Sequence, residues 1–222
     1  MRYKHVFAVC AYKDSPYLEQ CIRSLKAQTV PSHIIICTST PSSYIDRLAW
    51  KYGLQVCVRQ GESGIKDDWN FAYSMAEGEL VTIAHQDDMY HRDYSARLLA
   101  AHRRYPDMTV FTTDYVIVKQ GALITGDAML WIKRILRTPL RFPQMNDRAW
   151  VKKLAFVLGN PICCPATTYH KAVLGEPFVR SEYSFALDWD NLVSMSSSFR
   201  DWEIGTNQKE KCRDKDLLHG NW

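Results

Sequence analysis

Residues 69–88 read WNFAYSMAEGELVTIAHQDD, and the fold turns on how this stretch is parsed. Asp68 to Ala76 has the spacing of a short helix, Gly78 interrupts it, and Leu80 to Ala84 is a β-rich run too short for a second helix. A strand of that kind, apolar towards both faces, belongs in a parallel sheet covered by helices. Ligands of such sheets lie at the carboxyl ends of the strands, where this one delivers His85, Gln86, Asp87 and Asp88. Two adjacent hard oxygen donors, Asp87 and Asp88, suit Mg²⁺ or Mn²⁺ shared with a diphosphate. The plainer reading of the pair is a loop or a helix cap.

Working outward, the same alternation repeats. Val6 to Ala11 reads as a strand, and Ser15 followed by Pro16 as the start of a helix. Leu18, Cys21, Ile22 and Leu25 form one buried stripe that ends near Pro31. Ile34 to Cys37 is a strand, Ser42 to Tyr52 a helix stopped by Gly53, and Leu54 to Val58 a third strand. Beyond the opening stretch, Arg92 to Tyr105 is helical, Thr109 to Val118 is a strand, and Pro161 to Pro165 turns into a strand over Ala166 to Tyr169. Leu130 to Phe142 mixes Leu130, Trp131, Ile132, Ile135 and Leu136 with Lys133, Arg134, Arg137 and Arg141. It reads as a packed helix with a solvated basic face, or as a lid or membrane-surface contact beside an anionic or lipid-linked substrate. Trp131 and Trp150 read as core or lid residues rather than as a sugar platform.

Composition bounds the rest. The 222 residues suffice for one well-buried domain, and 46% hydrophobic against 23% charged residues excludes wholesale disorder. A net charge of +4 falls far short of a nucleic-acid-coating surface. The cysteines, Cys10, Cys21, Cys37, Cys57, Cys163, Cys164 and Cys212, are odd in number and unpaired in spacing, which points to reduced thiols in a cytoplasmic protein. The apolar run at Val6 to Tyr12 lacks the length and flanks of a signal peptide, and no stretch approaches the roughly 18–20 apolar residues of a spanning helix. His5, His33, His91, His102, His170 and His219 show no ligand spacing and read as packed or solvated. No dinucleotide or P-loop glycine motif, zinc-peptidase motif or hydrolase nucleophile elbow is present.

Three motifs in order resemble family 2 glycosyltransferases of the GT-A fold group: VCAYKDSPYLEQCIRSLKAQT at 9–29, the stretch at 69–88, and Ala186-Leu187-Asp188-Trp189-Asp190. The resemblance spans residues 4–105 well and is fragmentary to about 195. It implies an α/β, GT-A-like (nucleotide-diphospho-sugar transferase) sandwich with a mostly parallel central sheet. Residues 1–118 would be the nucleotide-sugar half, 119–195 the acceptor side of the same domain, and 196–222 an atypical tail. Ala11, Tyr12 and Lys13 would cradle the base and ribose, joined by Thr40, Asp68 and Asn70. Asp68 also reads as a plain helix N-cap. Thr40 lies where the family commonly ends its second strand in an Asp.

His85 occupies the first position of the family's DxD motif, as a nucleotide contact or loop residue, with the metal on Asp87 and Asp88 assisting through water. Asp188 would be the general base of an inverting transfer, although Asp188 and Asp190 read equally as carboxylates at a helix start. The implied function is metal-dependent transfer of a sugar from a nucleotide-diphosphate donor to a saccharide or lipid-linked acceptor in bacterial surface-polysaccharide assembly. Its implied location is the cytoplasm, with peripheral contact at the inner face of the membrane. A resemblance that stops abruptly near Met195 also implies an alternative, a nucleotide-sugar-binding remnant with a truncated C-terminus. A nucleotidyltransferase is the weaker third reading, since its glycine-rich N-terminal loop is missing.

Overall fold

The computed structural model describes residues 2–119, 122–124, 128–142, 145, 148–157, 159–180, 187–198 and 202–205. Ala186, Cys212 and His219 lie outside these residues. The strands are β1 (Tyr3–Ala11), β2 (His33–Thr38), β3 (Gln55–Val58), β4 (Gly78–His85), β5 (Val110–Thr113), β6 (Ile117–Lys119), β7 (Ala122–Ile124), β8 (Thr167–His170) and β9 (Trp202–Gly205). The helices are α1 (Leu18–Lys26), α2 (Ser43–Tyr52), α3 (Ile65–Met75), α4 (Tyr94–Arg104), α5 (Ala128–Arg137), α6 (Ala149–Phe156), α7 (Lys171–Leu174) and α8 (Leu187–Ser198), with a 3₁₀ turn at Thr138–Arg141.

Seven strands form one sheet in the order β3-β2-β1-β4-β8-β5-β9, parallel except for β8, while β6 and β7 make a separate hairpin. Connections leave β1 towards β2 on one side and reach β4 on the other, so the crevice opens where the ends of β1 and β4 lie side by side. Alternation along β1 divides the core: Val6 and Ala8 pack on the face covered by α3, α6 and α8, and Phe7, Val9 and Ala11 on the face covered by α1, α2 and α4. The stripe Leu18, Cys21, Ile22 and Leu25 is buried as its spacing requires. Gly78 is dictated by packing, because a Cβ there would stand 2.7 Å from Val6 Cγ2.

Several boundaries differ from the sequence reading for identifiable reasons. The Ser15–Pro16 pair forms a turn, with the Leu18 N–H donating to the Ser15 carbonyl at 3.3 Å, and α1 begins only at Leu18. Helix α3 begins at Ile65, so Asp68 is not its N-cap; its carboxylate reaches back to the N–H of Gly64, the true cap residue, at 3.2 Å. The run Thr109 to Val118 splits after Thr113, because Asp114 turns to meet Arg134 and Arg137. Trp202–Gly205, inside the stretch read as an atypical tail, is an edge strand on β5.

The basic face of α5 is also reordered. Arg137 is 1% exposed and Arg134 is paired, whereas Met129, Trp131, Ile132 and Ile135 point outward. Trp131 and Trp150, at 57% and 59% exposure, are not core residues.

A polar chain runs through the core: His5 Nδ1 lies 2.8 Å from Ser32 Oγ and Nε2 2.8 Å from Thr82 Oγ1, which leads to Thr168 and Tyr94. Burial pulls the His5 imidazole down to about 3. The unfolded chain takes up a proton here near pH 6.5 that the fold refuses until about pH 3. Stability therefore falls as pH drops through that window, by up to about 1.4 kcal/mol per unit from this group. Urea midpoints between pH 6.5 and 4.5 should show a shallower slope for His5→Gln than for the parent chain.

Candidate functional site

The carboxyl ends of β1, β2 and β4 bring the predicted donor residues together. Tyr12 is clamped by Gln86: its N–H donates to Gln86 Oε1 at 2.9 Å, and Gln86 Nε2 donates back to the Tyr12 carbonyl at 3.0 Å. Lys13 sits in the left-handed region at φ 54°, rare for a residue with a Cβ, and its N–H donates to Thr40 Oγ1 at 2.6 Å. The Lys13 ammonium lies 4.9 Å from the Tyr12 ring centre. Ala11 is buried beneath this loop, in register with Thr38, while the Tyr12 ring remains exposed.

Asp68 is held by Arg59 Nε at 2.7 Å and by Ser39 Oγ at 3.0 Å, so the loops after β2 and β3 are tied to α3 through one carboxylate. Arg59 also donates to the carbonyls of Gln60 and Glu62. Asn70 faces elsewhere: its amide exchanges two hydrogen bonds with the backbone of Val179, at 3.1 and 2.7 Å. Its observed work is to clasp α3 to the segment after α7.

The turn after β4 closes with the Asp88 N–H donating to the His85 carbonyl at 3.2 Å. Ligand atoms of His85, Asp87 and Asp88 all lie within 4.8 Å of one another. Burial pulls His85 below its ordinary value, against the opposing influence of Asp87 and Asp188, so the ring is neutral near pH 7. Its Nε2 is buried without a hydrogen-bond partner among the described residues, and its ring stacks on Trp69 at 5.1 Å. Asp88 is pushed up to about 6 by burial and by the charge of Asp87. Two carboxylates converging beside an imidazole are short of positive charge, and a nitrogen beside two carboxylates fits Mn²⁺ better than Mg²⁺.

Asp188 lies in the first turn of α8, where Asn160 Nδ2 donates to its Oδ2 at 2.7 Å. Asn160 is itself fixed by the Ile162 N–H at 3.0 Å. The Asp188 charge opposes the lowering at His85, which places the start of α8 near the acidic turn. Cys163 is pushed up to about 11 by burial and then by Asp88, with Lys133 and Arg137 pulling the other way.

Sequence reasoning missed Gln86, Arg59, Asn160 and the Asp114–Arg137 pair. Arg59 and Gln86 left a signal, since each stands one residue past the end of its strand, β3 or β4, where parallel sheets carry their ligand residues. The others act through partners 23 and 28 residues away.

A mostly parallel sheet with a polar loop after β1 and an acidic turn after β4 is the architecture of a GT-A, nucleotide-diphospho-sugar transferase fold. The chain belongs to glycosyl transferase family 2, whose profile matches residues 6–159. No curated protein sequence matches it. Among solved structures, S. aureus TarS 1-349 in complex with UDP superposes with TM-score 0.67 and 18% identity, over 92% of this chain and 58% of that one. Glucosyl-3-phosphoglycerate synthase from Mycobacterium tuberculosis, in complex with Mn²⁺, uridine-diphosphate-glucose and phosphoglyceric acid, superposes with TM-score 0.61 and 11% identity over 91% and 69%. At these identities the likeness is one of fold, and the chain spans about 58% of the length of TarS 1-349.

Proposed function

We propose that this chain binds a uridine-diphosphate sugar with a divalent cation at the acidic turn and transfers the sugar, with inversion, to a saccharide or lipid-linked acceptor. The observation that carries the reading is the convergence of His85, Asp87 and Asp88 at the end of β4, with the charge of Asp188 acting on His85. The uridine complexes of TarS and of the synthase, and the Mn²⁺ in the latter, support the donor class.

Each residue then has a task. Tyr12, held by Gln86, offers an exposed ring for base stacking, and the backbone of Ala11 to Lys13 offers polar groups for its edge. Thr40 and Asp68 fix the loops around the ribose. Asp87, with Asp88 and His85, would hold Mn²⁺, which when bound offsets charge on the departing diphosphate. Asp188 takes the acceptor hydroxyl proton as that oxygen attacks the anomeric carbon opposite the leaving group. One of its oxygens is anchored by Asn160, while Oδ1 makes no hydrogen bond among the described residues. Asn70 positions α3 instead of touching nucleotide.

The outward apolar face of α5, with Trp150 and Leu154 on α6, suits a lipid-linked acceptor or the membrane surface that carries it. No helix among the described residues is long and apolar enough to cross a membrane. Incubating the chain with Mn²⁺, UDP-glucose or UDP-N-acetylglucosamine, and saccharide or polyprenyl-phosphate acceptors should release UDP in step with glycosylated product. Donor binding without UDP release from any pairing would instead support the remnant.

A further inference from the structure

At the end of the sheet opposite the donor crevice, the fold gathers three ligand-type side chains from distant parts of the sequence. Glu79 opens β4, His170 closes β8 beside it in the register Leu80↔His170, and His102 comes from the last turn of α4. Glu79 Oε1 lies 3.3 Å from His102 Nε2 and 3.6 Å from His170 Nε2, and the three ligand atoms are all within 4.8 Å of one another. The histidine side chains are 6% and 8% exposed. Glu79 and His85 are six residues apart on one strand, so this cluster lies about 20 Å from the acidic turn.

The hydrogen-bond pattern leaves the cluster incomplete. His170 Nδ1 lies 3.0 Å from the Met108 carbonyl, which can only accept, so Nδ1 carries a proton and Nε2 is the ring nitrogen left to serve as a ligand beside Glu79. His102 Nε2 is buried and has no hydrogen-bond partner among the described residues. Two imidazole nitrogens thus approach one carboxylate oxygen without a hydrogen bond.

The spacing matches a missing centre. Tetrahedral Zn²⁺, with bonds of about 2.0–2.2 Å to nitrogen and oxygen, sets its ligand atoms about 3.3–3.5 Å apart. A backbone carbonyl orienting one histidine is the outer-shell arrangement such sites use.

We propose that Glu79, His102 and His170 form a second metal site, selective for Zn²⁺ over Mg²⁺ and Ca²⁺, with water as fourth ligand. Two nitrogens and one oxygen suit Zn²⁺ and suit the oxygen-seeking cations poorly. The site would tie α4 and β8 to β4, and it does not depend on the donor-site reading. Lys4 Nζ, 2.7 Å from Glu79 Oε2, opposes the cation and lowers affinity.

The test is Zn²⁺ titration by calorimetry of the chelator-treated full chain carrying Asp87→Ala to silence the donor site. Co²⁺ absorption reports the ligands. One equivalent should bind, with a rise in Tm; His102→Gln and His170→Gln should each weaken it at least about 10- to 100-fold, and Lys4→Met should tighten it. His102→Gln, at the end of a surface helix, decides the matter if the His170 variant does not fold. No Zn²⁺ uptake, uptake unchanged in His102→Gln, or a Co²⁺–thiolate charge-transfer band would overturn the proposal.

Discussion

Asp188→Asn is expected to keep nucleotide binding and to lower the proposed sugar transfer by a factor of about 10²–10⁴, the range for removing a general base. Asparagine preserves the size of the side chain and can still accept from Asn160 Nδ2, which now lies 2.7 Å from Asp188 Oδ2. It cannot take a proton, so an acceptor hydroxyl would attack unassisted. Since Asp188 is felt at His85 but is not part of the acidic turn's ligand group, donor affinity should hardly move. Product formation and UDP binding measured on one preparation separate the two effects. Unchanged transfer would remove Asp188 from the chemistry, and lost UDP binding would make it a donor residue.

The largest stability effect is expected at Asp114. Arg137 is 1% exposed, its Nη2 lies 2.6 Å from Asp114 Oδ1, and its Nη1 donates to the Thr113 carbonyl at 3.3 Å. Arg134 Nε holds the other carboxylate oxygen at 2.9 Å. Asp114→Ala leaves the Arg137 charge buried and uncompensated, at a cost of about 3–5 kcal/mol, a large share of a domain's usual margin. Urea unfolding should show it directly, and Asp114→Leu combined with Arg137→Met should recover most of the loss. A cost below about 1 kcal/mol would mean that the pair is solvated, with α5 free to lift away.

What could be read in the sequence was local. Leu18, Cys21, Ile22 and Leu25 show their helix by spacing alone, Ser42 and Gly53 bracket α2, and β4 ends in its acidic turn within one short window. These features carry the sheet's first four strands and the donor crevice with them. The unread features depend on partners far along the chain. Asn70 looks like a ligand contact until Val179, 109 residues later, takes both ends of its amide. Arg137 looks solvated until Asp114 turns it inward, which forces the apolar side of α5 outward. His102 and His170 have no ligand spacing in sequence, because a strand register and a helix end bring them to Glu79. Lone residues carry no sign of such partners, whereas periodic stripes need none.

The most direct measurement of the donor site is UDP binding by calorimetry, with and without Mn²⁺, for the parent chain and for Asp87→Ala. Binding is expected to depend on Mn²⁺ and to disappear in Asp87→Ala while the fold persists. Equal binding without the metal, or binding untouched by the substitution, would contradict it.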